Sequence, residues 1–215
     1  LVPGGMEPED VGEFAVKAFR EFGSVLIIVN TTKCAKRIYE ELKRRCGESC
    51  ALYHLSTRMC PKNRKEELES IKRDLKDKKP LICVSTQLIE AGVNLSFCCV
   101  IRSLAGLDSI IQAAGRCNRH KERARGKVYI VKLSQAAERL DSLYDIRRAQ
   151  EAAEKFLYYF NQTPEEFGGF LDSEASVKAY YEEYFHDSNA EPTKYPSSSC
   201  ETTLEELLGR NKPGR

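Results

Sequence analysis

Five short apolar runs, none of them alternating with polar residues, constrain this 215-residue chain more than any other feature. They are Val25–Val29, Ala51–Tyr53, Leu81–Val84, Cys98–Ile101 and Val128–Val131. A strand that is apolar at every position is buried on both faces, which happens in a parallel sheet covered by helices. Helical patterns lie between the runs. Thr32–Arg45 carries Ala35, Ile38, Tyr39 and Leu42 at helical spacing. Pro61 opens a second pattern at its first turn, with Leu68, Ile71 and Leu75 as the apolar stripe. Leu107–Asn118 reads as a third helix. The order predicts an α/β fold with a mostly parallel sheet and helices on both faces, its ligands at the carboxyl ends of the strands.

Residues 1–22 read as a lead-in and a helix, and residues 23–133 as the α/β domain. Beyond Leu133 the pattern turns helical, over roughly 135–160 and 173–185, broken near Thr163-Pro164 and Gly168-Gly169. This gives a helical extension over 134–185. Residues 186–215 read as a linker with a short helix near Thr203–Leu208, the start of a further region. The chain opens on Leu1 and not on Met, as a piece of a longer protein would, or one whose start lies at Met6.

The near-neutral total hides a division. Residues 31–130 hold 22 basic against 11 acidic residues, while the extension and tail are acidic. A basic segment suits a polyphosphate or nucleic-acid partner. Charge alone leaves a solvated helix face equally open, because Glu66, Glu67 and Glu69 are interleaved with the lysines of Lys62–Lys79. No run is long enough to span a membrane. The nine cysteines are odd in number and contain no CxxC pair, which argues against a disulfide framework or a zinc site and for reduced thiols in a cytoplasm.

Four clusters carry chemistry. In Gln112-Ala-Ala-Gly-Arg-Cys-Asn-Arg119 a continuous helix would put Gln112, Arg116 and Arg119 on one face, with Ile110, Ala114 and Cys117 opposite. Gly115 would allow close approach. Paired guanidinium groups suit phosphate oxygens, above all charge that develops on a transferred phosphoryl group. Solvated surface arginines are the alternative. The second cluster runs from Ser85-Thr86, at a strand end, to Gly92 and Asn94. Hydroxyls and N–H groups at such a terminus can hold a phosphate backbone, although Thr86 as a helix cap explains the pattern as well. The third is Asn30-Thr31-Thr32, where an N-cap is the simple account. The fourth is His54-Leu-Ser56-Thr-Arg58 before Pro61.

Together these clusters resemble the later motifs of a superfamily 2 helicase motor. Gln112–Arg119 matches QxxGRxxR at all four fixed positions, and Thr86 and Gly92 stand where the preceding motif has them. The stretch Ser85–Val93 followed by Leu107–His120 is closer still to the helicase–nuclease of type I CRISPR systems, and the likeness covers roughly residues 20–133. It implies a three-layer RecA-like domain that is the second lobe of a two-lobed ATP-dependent DNA helicase. By resemblance Arg119 is the arginine finger, Arg116 supports phosphate contact or lobe closure, and Gln112 positions water or senses the γ-phosphate. Gly92, Asn94 and Gly115 join the two arginines on the nucleotide side. Asn30, Thr31, Thr32, Ser56, Arg58, Ser85 and Thr86 line the single-stranded DNA.

Two departures matter. The chain has no GxxxxGK[ST] loop, no Asp-Glu box and no His-Asp nuclease cluster, so ATP with Mg²⁺ is held mainly by a first lobe outside this chain. Asn94 stands where the family usually has Asp. The implied partners are single-stranded DNA, the first lobe and nuclease domain of the same protein, and an RNA-guided surveillance complex. The rival readings are another superfamily 2 motor, such as an RNA helicase or restriction translocase, and a catalytically silent binding module.

Overall fold

The computed structural model describes residues 2–47, 50–89, 93–119 and 126–186. Among these, six strands form one sheet: β1 (Val2–Met6), β2 (Ser24–Ile28), β3 (Ala51–Leu55), β4 (Leu81–Ser85), β5 (Cys99–Ser103) and β6 (Lys127–Leu133). The spatial order is β1-β6-β5-β2-β4-β3, and every pair is parallel. The register is continuous through the centre, where Val25 lies between Ile82 of β4 and Cys99 of β5.

The helices are α1 (Pro8–Phe22), α2 (Thr32–Cys46), α3 (Pro61–Lys76), α4 (Leu107–Ala114), α5 (Tyr144–Gln162) and α6 (Glu174–His186). Because side chains alternate across a strand, β2 splits its apolar residues between two cores. Val25 and Ile27 pack under α1 and α2 with Val11, Ala15, Ile38 and Leu42. Leu26 and Ile28 pack on the other side with Ile71 of α3 and Ala113 of α4. These are the three layers of an α/β sandwich. A third core joins α4 to the extension through Leu107, Ile110, Phe156, Leu157 and Tyr180.

Four expectations need correction. The strand β1 was not foreseen; it pairs with β6 at the sheet edge, Val2 opposite Val131. The helix expected over 107–118 stops at Ala114, because the backbone beyond it is captured by the lead-in to β5, as described below. The first helix of the extension begins at Tyr144 and not near 135. Residues 134–143 form turns instead, started by Ser134, whose Oγ accepts from the Ala137 N–H at 3.0 Å. The residue placed at the start of the linker, His186, is the last residue of α6. The breaks near 163 and 168 are present, with Gly168 and Gly169 both at positive φ (77° and 75°), where glycine pays no Cβ penalty. The proposed linker beyond His186 and its short helix lie outside the described residues.

Candidate functional site

Parallel strands place all their carboxyl ends on one side, so β3, β4, β2 and β5 deliver Ser56, Ser85-Thr86, Asn30-Thr31 and Ser103 in a row. At the centre of the row is a buried polar network that the sequence did not disclose. Arg102 is fully buried at the end of β5. Its Nη1 donates to the Ser103 carbonyl at 2.8 Å and to Asn30 Oδ1 at 2.9 Å. Glu138, from the turns after β6, is buried at the same place. Its Oε1 accepts from the Asn30 backbone N–H at 2.6 Å, and its Oε2 accepts from Asn30 Nδ2 at 2.9 Å and Ser103 Oγ at 3.2 Å. Burial pushes the Glu138 carboxyl above the usual range, although the bonds from Asn30 and the positive charge of Arg102 pull the other way. Gln87 Nε2 reaches Asn30 Oδ1 at 3.4 Å, which brings the end of β4 into the same network.

Asn30 is therefore a structural hub. Its amide is buried and turned inward to Arg102, Ser103 and Glu138, not outward to a ligand, which corrects its assignment as a strand contact. Thr31 is the N-cap of α2, its Oγ1 accepting from the Cys34 N–H at 3.2 Å, and it remains half-exposed together with Thr32. Ser85 is buried and its hydroxyl donates to the Thr86 carbonyl at 2.9 Å. Ser56 is buried too, accepting from the Arg58 N–H at 3.2 Å, and the Arg58 side chain is exposed. The Thr86 hydroxyl is buried without a hydrogen-bond partner among the described residues. Leaving such a group unmet costs about 1–3 kcal/mol.

The arginine motif sits at the other end of β5. After Ala114 the chain turns at Gly115 and runs back along the residues that lead into the strand. The Phe97 N–H donates to the Arg116 carbonyl at 2.9 Å, and the Asn118 N–H donates to the Phe97 carbonyl at 2.8 Å, so Phe97 and Cys117 form a one-residue parallel bridge. Asn118 takes φ 49°, a left-handed conformation that Asn tolerates better than most residues. Gln112, Arg116 and Arg119 consequently do not share a helical face. Arg116 is turned inward and buried, its Nε donating to the Ile89 carbonyl at 3.0 Å. Gln112 and Arg119 are exposed, as is Gly115. Gly115 has an ordinary negative φ (−63°), but a Cβ there would come within 3.3 Å of the Gln112 carbonyl. Asn94 is exposed on the lead-in to β5. Gly92 lies outside the described residues.

No cluster of three metal-ligating side chains occurs among the described residues, and none of the described cysteines is in a disulfide. Burial pushes the Cys34 thiol up to about 12, as expected of a packing residue and not a nucleophile. Among the described residues no helix is long and apolar enough to cross a membrane.

Comparison with known proteins bears on this geometry. Residues 21–122 match the family model described as the C-terminal part of the CRISPR-associated nuclease/helicase Cas3. A Cas3 nuclease/helicase from Haloferax volcanii is 41% identical over 91 residues, which are 42% of this chain and 10% of that protein. One from Methanothermobacter thermautotrophicus is 31% identical over 99 residues, 46% of this chain and 11% of that protein. The chain thus spans about a tenth of the length of these curated relatives. The crystal structure of T. fusca Cas3 with ATP covers 97% of this chain and is covered to 24%, with a TM-score of 0.65 at 20% identity. A chain of a CRISPR RNA-guided surveillance complex in a pre-nicking state matches with the same TM-score and identity. At that identity the likeness speaks to the fold, which is the RecA-like α/β sandwich that the motifs imply.

Proposed function

We propose, from the match of residues 21–122 to the family model of the Cas3 nuclease/helicase C-terminal part, that this chain is the second motor lobe of an ATP-dependent DNA helicase in type I CRISPR interference. The whole enzyme would track along single-stranded target DNA in a cytoplasm, unwinding it for degradation once an RNA-guided complex has opened it.

The observation that carries this reading is the mounting of Arg119. Three consecutive residues before it are fixed: Arg116 by its bond to Ile89, Cys117 by its bridge to Phe97, and Asn118 by its bond to the Phe97 carbonyl. An exposed guanidinium on a rigid base suits charge stabilisation in a transition state, because no reorganisation is needed as the charge appears. Arg119 would neutralise charge on the γ-phosphoryl group of ATP bound mainly by the first lobe. A finger of this kind is worth roughly 10³–10⁵ in turnover. Gln112, exposed on the last turn of α4, would contact the same phosphate or its water. Arg116 acts through its bond to Ile89 and is a positioning residue. Mg²⁺ would be held with the phosphates on the first lobe, as the resemblance implies for a chain without the GxxxxGK[ST] loop and the Asp-Glu box. At the carboxyl ends of the strands Thr31, Thr32 and Arg58 would hold the DNA backbone, with the buried Thr86, Ser56, Ser85 and Asn30 shaping the loops. Backbone contacts hold a strand without reading its bases.

The test is ATP turnover by this chain joined to its native upstream lobe, with and without single-stranded DNA, for wild type and Arg119→Ala. DNA-stimulated turnover that collapses by about 10³ or more in the variant, with ATP binding retained, is the expected result. Turnover indifferent to both DNA and Arg119 would refute the motor reading and favour a silent binding module. The chain alone is expected not to turn over ATP.

A further inference from the structure

At the amino-terminal end of the sheet, opposite the threonine row, a cleft of about 470 Å³ opens between the Gly23 turn, the last turns of α3 and the lead-in to β5. Its rim carries Lys72, Lys76, Lys78 and Lys79, its walls include Phe22, and no acidic residue among the described ones lines it. A second cleft of about 330 Å³ adjoins it along α3, sharing Lys72 and Asn94 and adding Arg64 and Lys65. Among the described residues the acid there is Glu69, which is already paired with Lys72 at 2.8 Å. Lys79 is held by Asp74 at 3.0 Å and Asp77 at 3.8 Å. Lys76 and Lys78 have no ion-pair partner among the described residues.

Lys78 adds an independent observation. It takes φ 56° just beyond α3, with the Lys78 N–H donating to the Leu75 carbonyl and the Lys79 N–H to the Asp74 carbonyl. This is the left-handed position that usually falls to glycine or asparagine. A lysine there bears a conformational cost and sets its ammonium at the cleft. Asn94, common to both clefts, is an uncharged amide where a carboxylate would oppose an anion.

Resting on the reading of this chain as a DNA motor lobe, we infer that the double cleft is a second nucleic-acid contact that takes the sugar–phosphate backbone of a DNA strand. Its cations step along α3 from Lys65 to Lys72 to Lys76, about 10 Å and then about 6 Å apart in rise, and a row of cations on one helix face suits a polyanion. Lying at the opposite end of the sheet from Thr31 and Thr86, the site would hold a separate stretch of strand.

The experiment uses the 215-residue chain and a fluorescein-labelled oligothymidylate, with binding followed by anisotropy across a salt series. Lys76→Gln/Lys78→Gln is expected to weaken binding about tenfold at low salt and to flatten the slope of log K against log salt by about 1.4, the share of two single-strand phosphate contacts. Asn94→Asp, nearly isosteric, is expected to weaken binding in the same direction. Mass spectrometry of lysine acetylation should show Lys76 and Lys78 protected by the DNA and Lys178 not. An unchanged slope in the double variant, alongside weaker binding by Arg58→Gln, would refute the cleft and leave the motor reading standing. No binding by the wild type would refute the cleft, while the ATPase assay judges the motor separately. Competition by poly-L-glutamate equal to that of DNA would overturn the nucleic-acid assignment in favour of an acidic protein.

Discussion

Glu138 is where the structure makes its sharpest energetic claim. The carboxylate is 5% exposed and accepts three hydrogen bonds, two from Asn30 and one from Ser103. Arg102, bonded to the same Asn30 and Ser103, is the positive charge it balances. Glu138→Ala strips the acceptor from the Asn30 N–H and from the Ser103 hydroxyl and removes a negative charge that faces Arg102. Stranding the buried Asn30 N–H costs about 1–3 kcal/mol and each of the two other lost bonds about 0.5–1.5 kcal/mol, or about 2–6 kcal/mol together. For a chain of this size, 1 kcal/mol shifts Tm by about 2–4 °C, so the midpoint should fall by about 4–24 °C. Glu138→Gln should cost less, about 1–3 kcal/mol, because one acceptor oxygen remains. The carboxyl's own shift opposes part of this gain, because burial disfavours its ionised form. Its folded pKa lies above the unfolded value, so its contribution is full below the unfolded pKa and is lost as pH rises through the raised one; at neutral pH the ionised form is the costly one. The assay is urea unfolding followed by circular dichroism, for Glu138→Ala, Asn30→Ala and the double variant. A coupling of about 1 kcal/mol or more between the two sites is expected. A loss under about 1 kcal/mol in Glu138→Ala, or strict additivity with Asn30→Ala, would refute the network as a unit.

Two further outcomes follow from single side chains. His54 stacks on Tyr39 at 5.4 Å, its Nε2 is buried without a hydrogen-bond partner among the described residues, and burial lowers its pKa below the ordinary 6.5. Stability should therefore be fully present above pH 6.5 and fall as pH drops toward the lowered value; His54→Phe should flatten that slope in urea midpoints, and an unchanged slope would count against it. Gly106 starts α4, and a Cβ there would lie 2.9 Å from Tyr180 Oη and 2.6 Å from Asp108 Oδ1. Tyr180 is buried and cannot give way, so Gly106→Ala should lose about 1–3 kcal/mol, whereas Gly23→Ala meets nothing in space and suffers only from its positive φ of 79°.

The central strands were legible because each is apolar throughout, which only a doubly covered sheet tolerates. β1 was not, because Val2-Pro-Gly-Gly-Met6 holds few apolar residues and its pairing with β6 is decided by the rest of the sheet. β5 was read only to Ile101, since Arg102 looks like a strand leaving the core; the arginine stays inside because Asn30 and Glu138 meet it. Glu138 itself was illegible, its partner Asn30 being 108 residues away. The motif Gln112–Arg119 was identified by its residues but misplaced in space. Ala, Gln and Arg are good helix formers, so propensity continues the helix. What ends it is tertiary: the Phe97 backbone takes the Arg116 carbonyl and the Asn118 N–H, bonds that no local pattern encodes.

That tertiary capture changes what the arginine motif can do. On one continuous helix, Arg116 and Arg119 would have been two equivalent solvent-facing groups. The break divides them, with Arg119 presented outward and Arg116 committed inward to the one-turn 3₁₀ segment Gln87–Ile89. That segment is gripped from its other side, because Gln87 bonds Asn30, the hub of the strand-end row, and Thr86 precedes it directly. The path from the exposed arginine to the threonine row is therefore one short segment held at both ends. Movement of the arginine loop cannot leave Ile89 where it is without breaking the Arg116 bond, and movement of Ile89 carries Gln87 with it. The arginine loop and the strand-end row are thus joined through Gln87–Ile89, and Arg116, the less exposed of the two arginines, makes the connection.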